Sequence, residues 1–430
     1  AAPAPVVAVS AARSGVRLAT VDTHGPAASL ALVVNAGTRH ESDVHPGVAH
    51  YLKNVFLRNS FNDTAVRVLR YTELRGDTLH TAATRENLVF ATDFLRDSLP
   101  DALPVLVEQI FNPSFQPHEF LDARALVEAE TQAALADPQT KIVDLLHAAA
   151  FRGGLGHSLF ASHDAVASLT RADLQDFASK YFTAENLAVV GLGVHADDLA
   201  TQVARSLDTV DIKAGAKATA APAVAHSGEI RVDAGAGHAS GYYALGFVAA
   251  DVAAHSKAAH ALAVLRFVLD ASGTINRGSV AGATSLLKPA VVEGGAQSAR
   301  AFSAQYSDAG LLGVVLHGDA ARLGAGAQVA VDALKAIAAG RLDAAALTRA
   351  KKACVVAADG PEARLETLLR AGREVLHAGK VQTPAQLAEA FEAVSASDVQ
   401  AVAKTLLARR PAAVALGNVR RLPYSADLKL

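Results

Sequence analysis

The chain has 430 residues, of which 51% are hydrophobic and 19% charged. This is a soluble globular composition with room for two or three domains, and its alanine content favours helix. The formal net charge is −2, and basic residues are dispersed apart from pairs such as Lys351–Lys352 and Arg420–Arg421, so nothing argues for nucleic acid as a partner.

In chain order, the first ten residues are small and apolar, with Pro3 and Pro5, and lack the Arg-rich amphipathic pattern of a transit peptide. Without an initiator methionine the chain is expected to be a processed form. Residues 16–21 and 29–35 alternate as paired strands. A loop with Gly37, Pro46 and Gly47 precedes a helix predicted over 48–58. A hairpin follows at 78–84 and 87–93. Helical periodicity covers 96–111 and 117–136, is interrupted at Pro138, and resumes over 140–150. Another helix runs over 170–181, opened by Thr170 with Asp173 three residues on. Residues 186–194 form a short apolar strand.

The second half repeats this order. Strands are predicted at 228–233 and 240–247, a helix at 253–269, and a hairpin at 301–306 and 310–317. Helices follow at 320–339, 344–358 and 395–408, then a strand at 412–417. Such a repeat with a period near half the chain is an internal duplication. Residues 211–227, rich in Ala, Gly and Lys, read as an interdomain linker, giving domains at 1–210 and 228–430. Long helices among hairpins predict an α+β fold, each domain a largely antiparallel sheet covered by helices. The single cysteine, Cys354, excludes an intramolecular disulfide framework and reads as a small buried hydrophobe; a reducing compartment is permitted. No window approaches 18 continuous apolar residues, so no transmembrane helix is expected.

One segment carries chemistry by what it lacks. His50-Tyr51-Leu52-Lys53-Asn54 stands where an inverted zinc-protease motif, H-x-x-E-H, would stand. Two imidazoles four residues apart on a helix grip one zinc, and the glutamate between them takes a proton from metal-bound water. Here Lys53 replaces the base and Asn54 replaces the second imidazole. A protonated lysine repels Zn²⁺, and an amide oxygen is a poor zinc ligand. Glu130, on the predicted helix 117–136, is a further ligand position. His50 and Glu130 alone fall short of the three protein ligands of a catalytic zinc.

Several runs support a resemblance: Val34-Asn35-Ala36-Gly37-Thr38-Arg39, Ala83-Thr84-Arg85-Glu86-Asn87, Asp137-Pro138-Gln139-Thr140, Leu146 to Phe151, Leu187 to Val194 and Tyr306 to Leu311. In this order and spacing the chain resembles the M16 family, which comprises the mitochondrial processing peptidases and the related core subunits of the cytochrome bc1 complex (respiratory complex III). The resemblance implies two homologous M16-type domains. Departures from the peptidase pattern favour a core subunit. The catalytic subunit keeps H-x-x-E-H. The non-catalytic peptidase subunit carries a long glycine-rich loop, where residues 271–280 here hold only Gly273 and Gly278. The resemblance then implies a non-catalytic scaffold with no cofactor or metal of its own, peripheral to the mitochondrial inner membrane on its matrix side. Its partners would be core protein 1, cytochrome b, cytochrome c1, the Rieske protein and the cleaved Rieske presequence. The alternative is a processing-peptidase subunit that binds presequence peptides.

Other signals have bland readings. His40, His45 and His50 recur every five residues, but that spacing rotates side chains off one helix face and Pro46 interrupts it, so a loop of partly exposed histidines is expected. Gly191-Leu192-Gly193 lacks the third glycine of a nucleotide fingerprint and reads as a turn. Residues 84–87 read as a hairpin element. Lys53 is expected to neutralise Glu130 where a metal would otherwise sit.

Overall fold

The structure is a computed structural model that describes residues 6–12, 14–210, 212–233, 239–250, 252–270, 285–359 and 364–430. The chain divides into two compact units. One comprises Ala1–Ala133, His157–Ala221 and Gly360–Thr383; the other comprises Ala134–Gly156, Pro222–Asp359 and Pro384–Leu430.

The first unit is built on β1 (Val6–Ala11), β2 (Arg17–Asp22), β3 (Ala27–Val34), β4 (Thr78–Ala83), β5 (Leu88–Leu95) and β6 (Leu187–Leu192). Their order is β1-β2-β6-β3-β5-β4, and every neighbouring pair is antiparallel except the parallel β2–β6. Successive strand residues point to opposite faces. Leu30, Leu32, Phe90 and Val189 pack on one face against the helices Val48–Val55, Leu99–Phe111 and Ala196–Leu207. Ala31, Val33, Val89 and Val190 line the other face, against Leu368, Ala371 and Val375 of the helix Arg364–Ala378. Small residues on this second face let the helix approach closely: a Cβ on Gly372 would stand 2.4 Å from Val33 Cγ2.

The second unit holds β7 (Glu229–Asp233), β8 (Ser240–Ala250), β9 (Ala296–Gln305), β10 (Ala309–Asp319) and β11 (Ala412–Gly417), in the order β7-β11-β8-β10-β9. Its one parallel pair is β7–β11. The two orders superimpose strand for strand, with β1 an extra edge in the first unit. The duplication inferred from element order therefore extends to strand order and direction. Here too the sheet is apolar on both faces. The helices Lys257–Leu269, Leu323–Ala338 and Ala396–Leu407 cover one face. Ile142, Leu146 and Ala150 of the helix Pro138–Phe151 cover the other.

The packing thus departs from a division at 210 and 228. The helix Pro138–Phe151, from the first half of the sequence, covers the second sheet, and Arg364–Ala378, from the second half, covers the first. Each sheet needs a helix on its second face to remove that face from water, and each takes it from the other half of the sequence. Residues 212–227 are not a free linker. Gly215 N donates to Glu185 Oε2 at 2.8 Å and Ala218 N to Asn186 Oδ1 at 2.6 Å; in the second unit Ala223 N donates to Asp308 Oδ2 at 2.9 Å and His226 N to the Ala150 carbonyl at 2.8 Å.

Element types agree with the sequence reading at most places, and ends move for visible reasons. The helix expected to reach residue 58 stops at Val55. Phe56 turns extended and its ring enters a cluster with Phe90, Phe115 and Phe182, at centroid distances of 5.2, 5.8 and 5.0 Å. The helix expected from 96 starts at Leu99, where Pro100 occupies the first turn, the position a proline tolerates. Thr170 and Asp173 form the expected capping box. β1 and the helices Ala65–Arg75, Arg364–Ala378 and Pro384–Glu392 fall outside the elements expected from the sequence. Residues 271–280, compared above with a glycine-rich loop, lie outside the described residues.

Candidate functional site: a lysine-filled metal position

The site helix, Val48–Val55, begins after Gly47, whose φ of 85° is a left-handed conformation that suits glycine. Glu41 fixes this start from outside the helix. Its carboxylate accepts Gly47 N at 2.7 Å and Ala49 N at 2.8 Å, two of the amides a helix start leaves without partners. Burial pushes the Glu41 carboxyl up to about 7, against those two hydrogen bonds. Nothing in the local spacing announces this cap, because the chain loops back to make it.

The helix Pro117–Ala136 runs beside the site helix. Tyr51 is fully buried, donates to the Phe120 carbonyl at 2.6 Å and stacks on the Phe120 ring at 4.8 Å. This contact sets the level at which Glu130 meets the site helix. Three donors converge on one carboxylate oxygen, Glu130 Oε2: His50 Nε2 at 2.8 Å, Lys53 Nζ at 2.7 Å and Asn54 Nδ2 at 3.0 Å. The structure thus brings together all four residues of the degenerate motif, and Lys53 pairs with Glu130 as the charge pattern suggested.

The tautomer of His50 follows from its second partner. Ala161 N donates to His50 Nδ1 at 3.1 Å, so Nδ1 is the acceptor and the ring proton sits on Nε2, facing Glu130. Burial lowers the His50 pKa, Glu130 opposes that shift and the Lys53 charge adds to it, so the imidazole is neutral. Phe160 meets the ring edge-on at 5.8 Å. At Glu130, burial favours the neutral acid, but the hydrogen bonds from Lys53, Asn54 and His50 together outweigh it and hold the pKa below its ordinary 4.5. The carboxylate is therefore ionised and bonded to an ammonium, an amide and an imidazole N–H.

This donor set does not fit a zinc ion. A metal needs lone pairs, and three of the four groups aim hydrogens at the shared centre. Two ligands on one tetrahedral zinc would stand about 3.3 Å apart, whereas His50 Nε2 and Glu130 Oε2 are 2.8 Å apart and bonded through a proton. The ammonium of Lys53 supplies the positive charge a metal would have brought. Among the described residues no group of three or more His, Cys, Asp or Glu could hold a metal ion.

The remaining sequence candidates lie elsewhere. His45 is half exposed and stands 3.4 Å from Asp173. His40 rests 3.3 Å from Asn35 Oδ1; burial, then the Arg39 charge, lowers its pKa to about 4. Glu86 makes a buried ion pair with Arg39 at 2.9 Å. Thr84 and Asn87 close the β4–β5 turn. Gly193 ends β6 with φ of 72°, a turn as expected. Cys354 is buried, and burial pushes its thiol up to about 12, so it is no nucleophile.

Two similar sheet-and-helix units with a degenerate H-x-x-E-H helix in the first define a class. Residues 17–163 match the family model described as insulinase (peptidase family M16), and residues 168–354 match the peptidase M16 inactive domain; the chain belongs to peptidase family M16. Over 97% of its length it is 32% identical to cytochrome b-c1 complex subunit 2, mitochondrial, from Cryptococcus neoformans, covering 93% of that protein. The human protein of the same name is 28% identical over 96% of this chain and 90% of its own. Mitochondrial-processing peptidase subunit alpha from Solanum tuberosum is 26% identical over 95% of this chain and 82% of its own.

Proposed function

We propose that this chain is a non-catalytic structural core subunit of the mitochondrial cytochrome bc1 complex, a degenerate metallopeptidase homologue that supports assembly and stability for electron transfer from ubiquinol to cytochrome c. The carrying observation is the Lys53–Glu130 pair, which fills the position where the fold would otherwise hold its metal. Similarity over nearly the whole chain to proteins named cytochrome b-c1 complex subunit 2 supports the choice of complex. Among the described residues no helix is long and apolar enough to cross a membrane. The chain would then lie peripherally, on the matrix side of the inner membrane. Core protein 1, cytochrome b, cytochrome c1 and the Rieske protein would be its neighbours, with the Rieske presequence a further ligand. Domains 1–210 and 228–430 remain our reading of the duplicated units, joined by 211–227. The four site residues are a structural lock, with no catalytic, metal or cofactor role.

The second reading, a processing-peptidase subunit that binds presequences, is favoured by the similarity to a processing-peptidase alpha subunit. Affinity capture of the tagged chain after gentle detergent extraction separates the two. Co-migration with haem absorbance and with cytochrome subunits is expected. Recovery with a processing-peptidase partner and without haem would overturn the proposal.

A further inference from the structure

The helix Arg364–Ala378 covers the second face of the first sheet and carries His377 in its last turn. The His377 side chain is 14% exposed, and its Nε2 is buried without a hydrogen-bond partner. Glu86 Oε2 stands 3.9 Å away, beyond hydrogen-bond reach. Glu86 is itself buried and accepts Arg39 Nη1 at 2.9 Å.

Cations outnumber the acid around this ring. Glu86 faces it from the turn at 84–87, Arg39 and His40 from residues 38–40, Lys217 from the segment after 212, and Arg373 from its own helix. Arg17 of β2 donates to the Val375 and Leu376 carbonyls at 2.6 and 2.8 Å. The attraction that a helix C-terminus offers a protonated histidine is thus already taken by Arg17. Glu86, the acid of this set, is held by Arg39. Burial lowers the His377 pKa below 6.5; Glu86 opposes that shift, and Lys217, Arg373 and Arg39 add to it. His40 rests against Asn35 with its pKa lowered to about 4, so it stays neutral in mild acid.

We infer that His377 is an acid-operated release for the helix Arg364–Ala378: on gaining a proton it loosens this helix from the first sheet. An imidazolium added here would sit largely out of water among Arg39, Arg373, Lys217 and Arg17, with its one acid already engaged. In the loosened helix the ring meets water and takes the proton at the ordinary 6.5. The stabilisation is therefore complete above 6.5 and is lost as pH falls from 6.5 through the lower folded value. Release uncovers the apolar face formed by Ala31, Val33, Val89 and Val190.

The test is hydrogen–deuterium exchange of the full chain at about pH 7.5 and about pH 5.5, read as protection factors, with circular dichroism to confirm folding. Peptides covering Arg364–Ala378 report the release. The helix Leu99–Phe111, on the other face of the same sheet, is the control. In the wild type, protection of Arg364–Ala378 should fall about 10-fold, since one unit below 6.5 favours the protonated, loosened form by that factor. The control should hold. His377→Gln, neutral at both pH values, should remove the fall. Lys217→Gln, which takes away one repelling charge, should lessen it. Protection that is unchanged or rises in acid, an equal loss in the control helix, a fall that persists in His377→Gln, or a Lys217→Gln chain that responds like the wild type would each overturn the inference.

Discussion

At the scale of residues, Lys53 stands against Glu130 at the centre of the degenerate motif. Glu130 would be an unpaired anion beside a buried imidazole without Lys53, and Lys53 removes that cost by direct contact. Because Glu130 is one-third exposed, water screens the pair and the gain is modest. Lys53→Met is expected to cost about 1 kcal/mol in chemical denaturation at neutral pH. The loss should shrink in acid. Glu130 has a folded pKa below its ordinary 4.5, so its stabilising contribution is complete above 4.5 and disappears as pH falls through the lower folded value. A Lys53→Met penalty that is undiminished at low pH would contradict the pairing. Glu41 runs the other way. Its pKa is raised to about 7 in the fold, so the stability linked to its proton is present below 4.5 and is lost as pH rises from 4.5 through about 7. Glu41→Gln should flatten the stability profile across that window, and an unchanged slope would show that Glu41 does not titrate there. Of these residues, His50, Lys53 and Asn54 were legible in the sequence because a helical motif fixes their spacing, and Glu130 as a carboxylate on a predicted helix 80 residues further on. Glu41 and the Ala161 amide were not, because they reach the site through loops whose course no local pattern encodes.

At the scale of elements, helices with one apolar face and capped ends were readable, as Thr170 with Asp173 shows. The helix Ala65–Arg75 was not, since its leucines and valines lie on the outer as well as the inner side. Arg364–Ala378 escaped for a related reason, that its place is on a sheet formed by the other half of the sequence. Its fit depends on Gly372, whose missing side chain admits Val33. Gly372→Val should destabilise the first unit by about 1–3 kcal/mol through overpacking, and Val33→Ala in the same chain should recover part of that loss. Thermal or denaturant unfolding of the two singles and the double checks this; strictly additive losses would show that the contact is not the cause.

At the scale of the whole molecule, the duplication was visible as a repeated order of elements. The exchange of one helix between sheets was not, because helical periodicity states which face is apolar and not which surface receives it. The sequence also carried the loss of peptidase chemistry, through the identities at positions 53 and 54. The central claim is that these side chains fill and neutralise the metal position. Equilibrium zinc binding to the wild-type chain and to the double variant K53E/N54H, followed by elemental analysis after dialysis, tests it most directly. The account predicts no stoichiometric zinc on the wild type, and zinc uptake by the variant, which regains an imidazole beside His50 and Glu130. One zinc per wild-type chain, lost on His50→Ala, would contradict it.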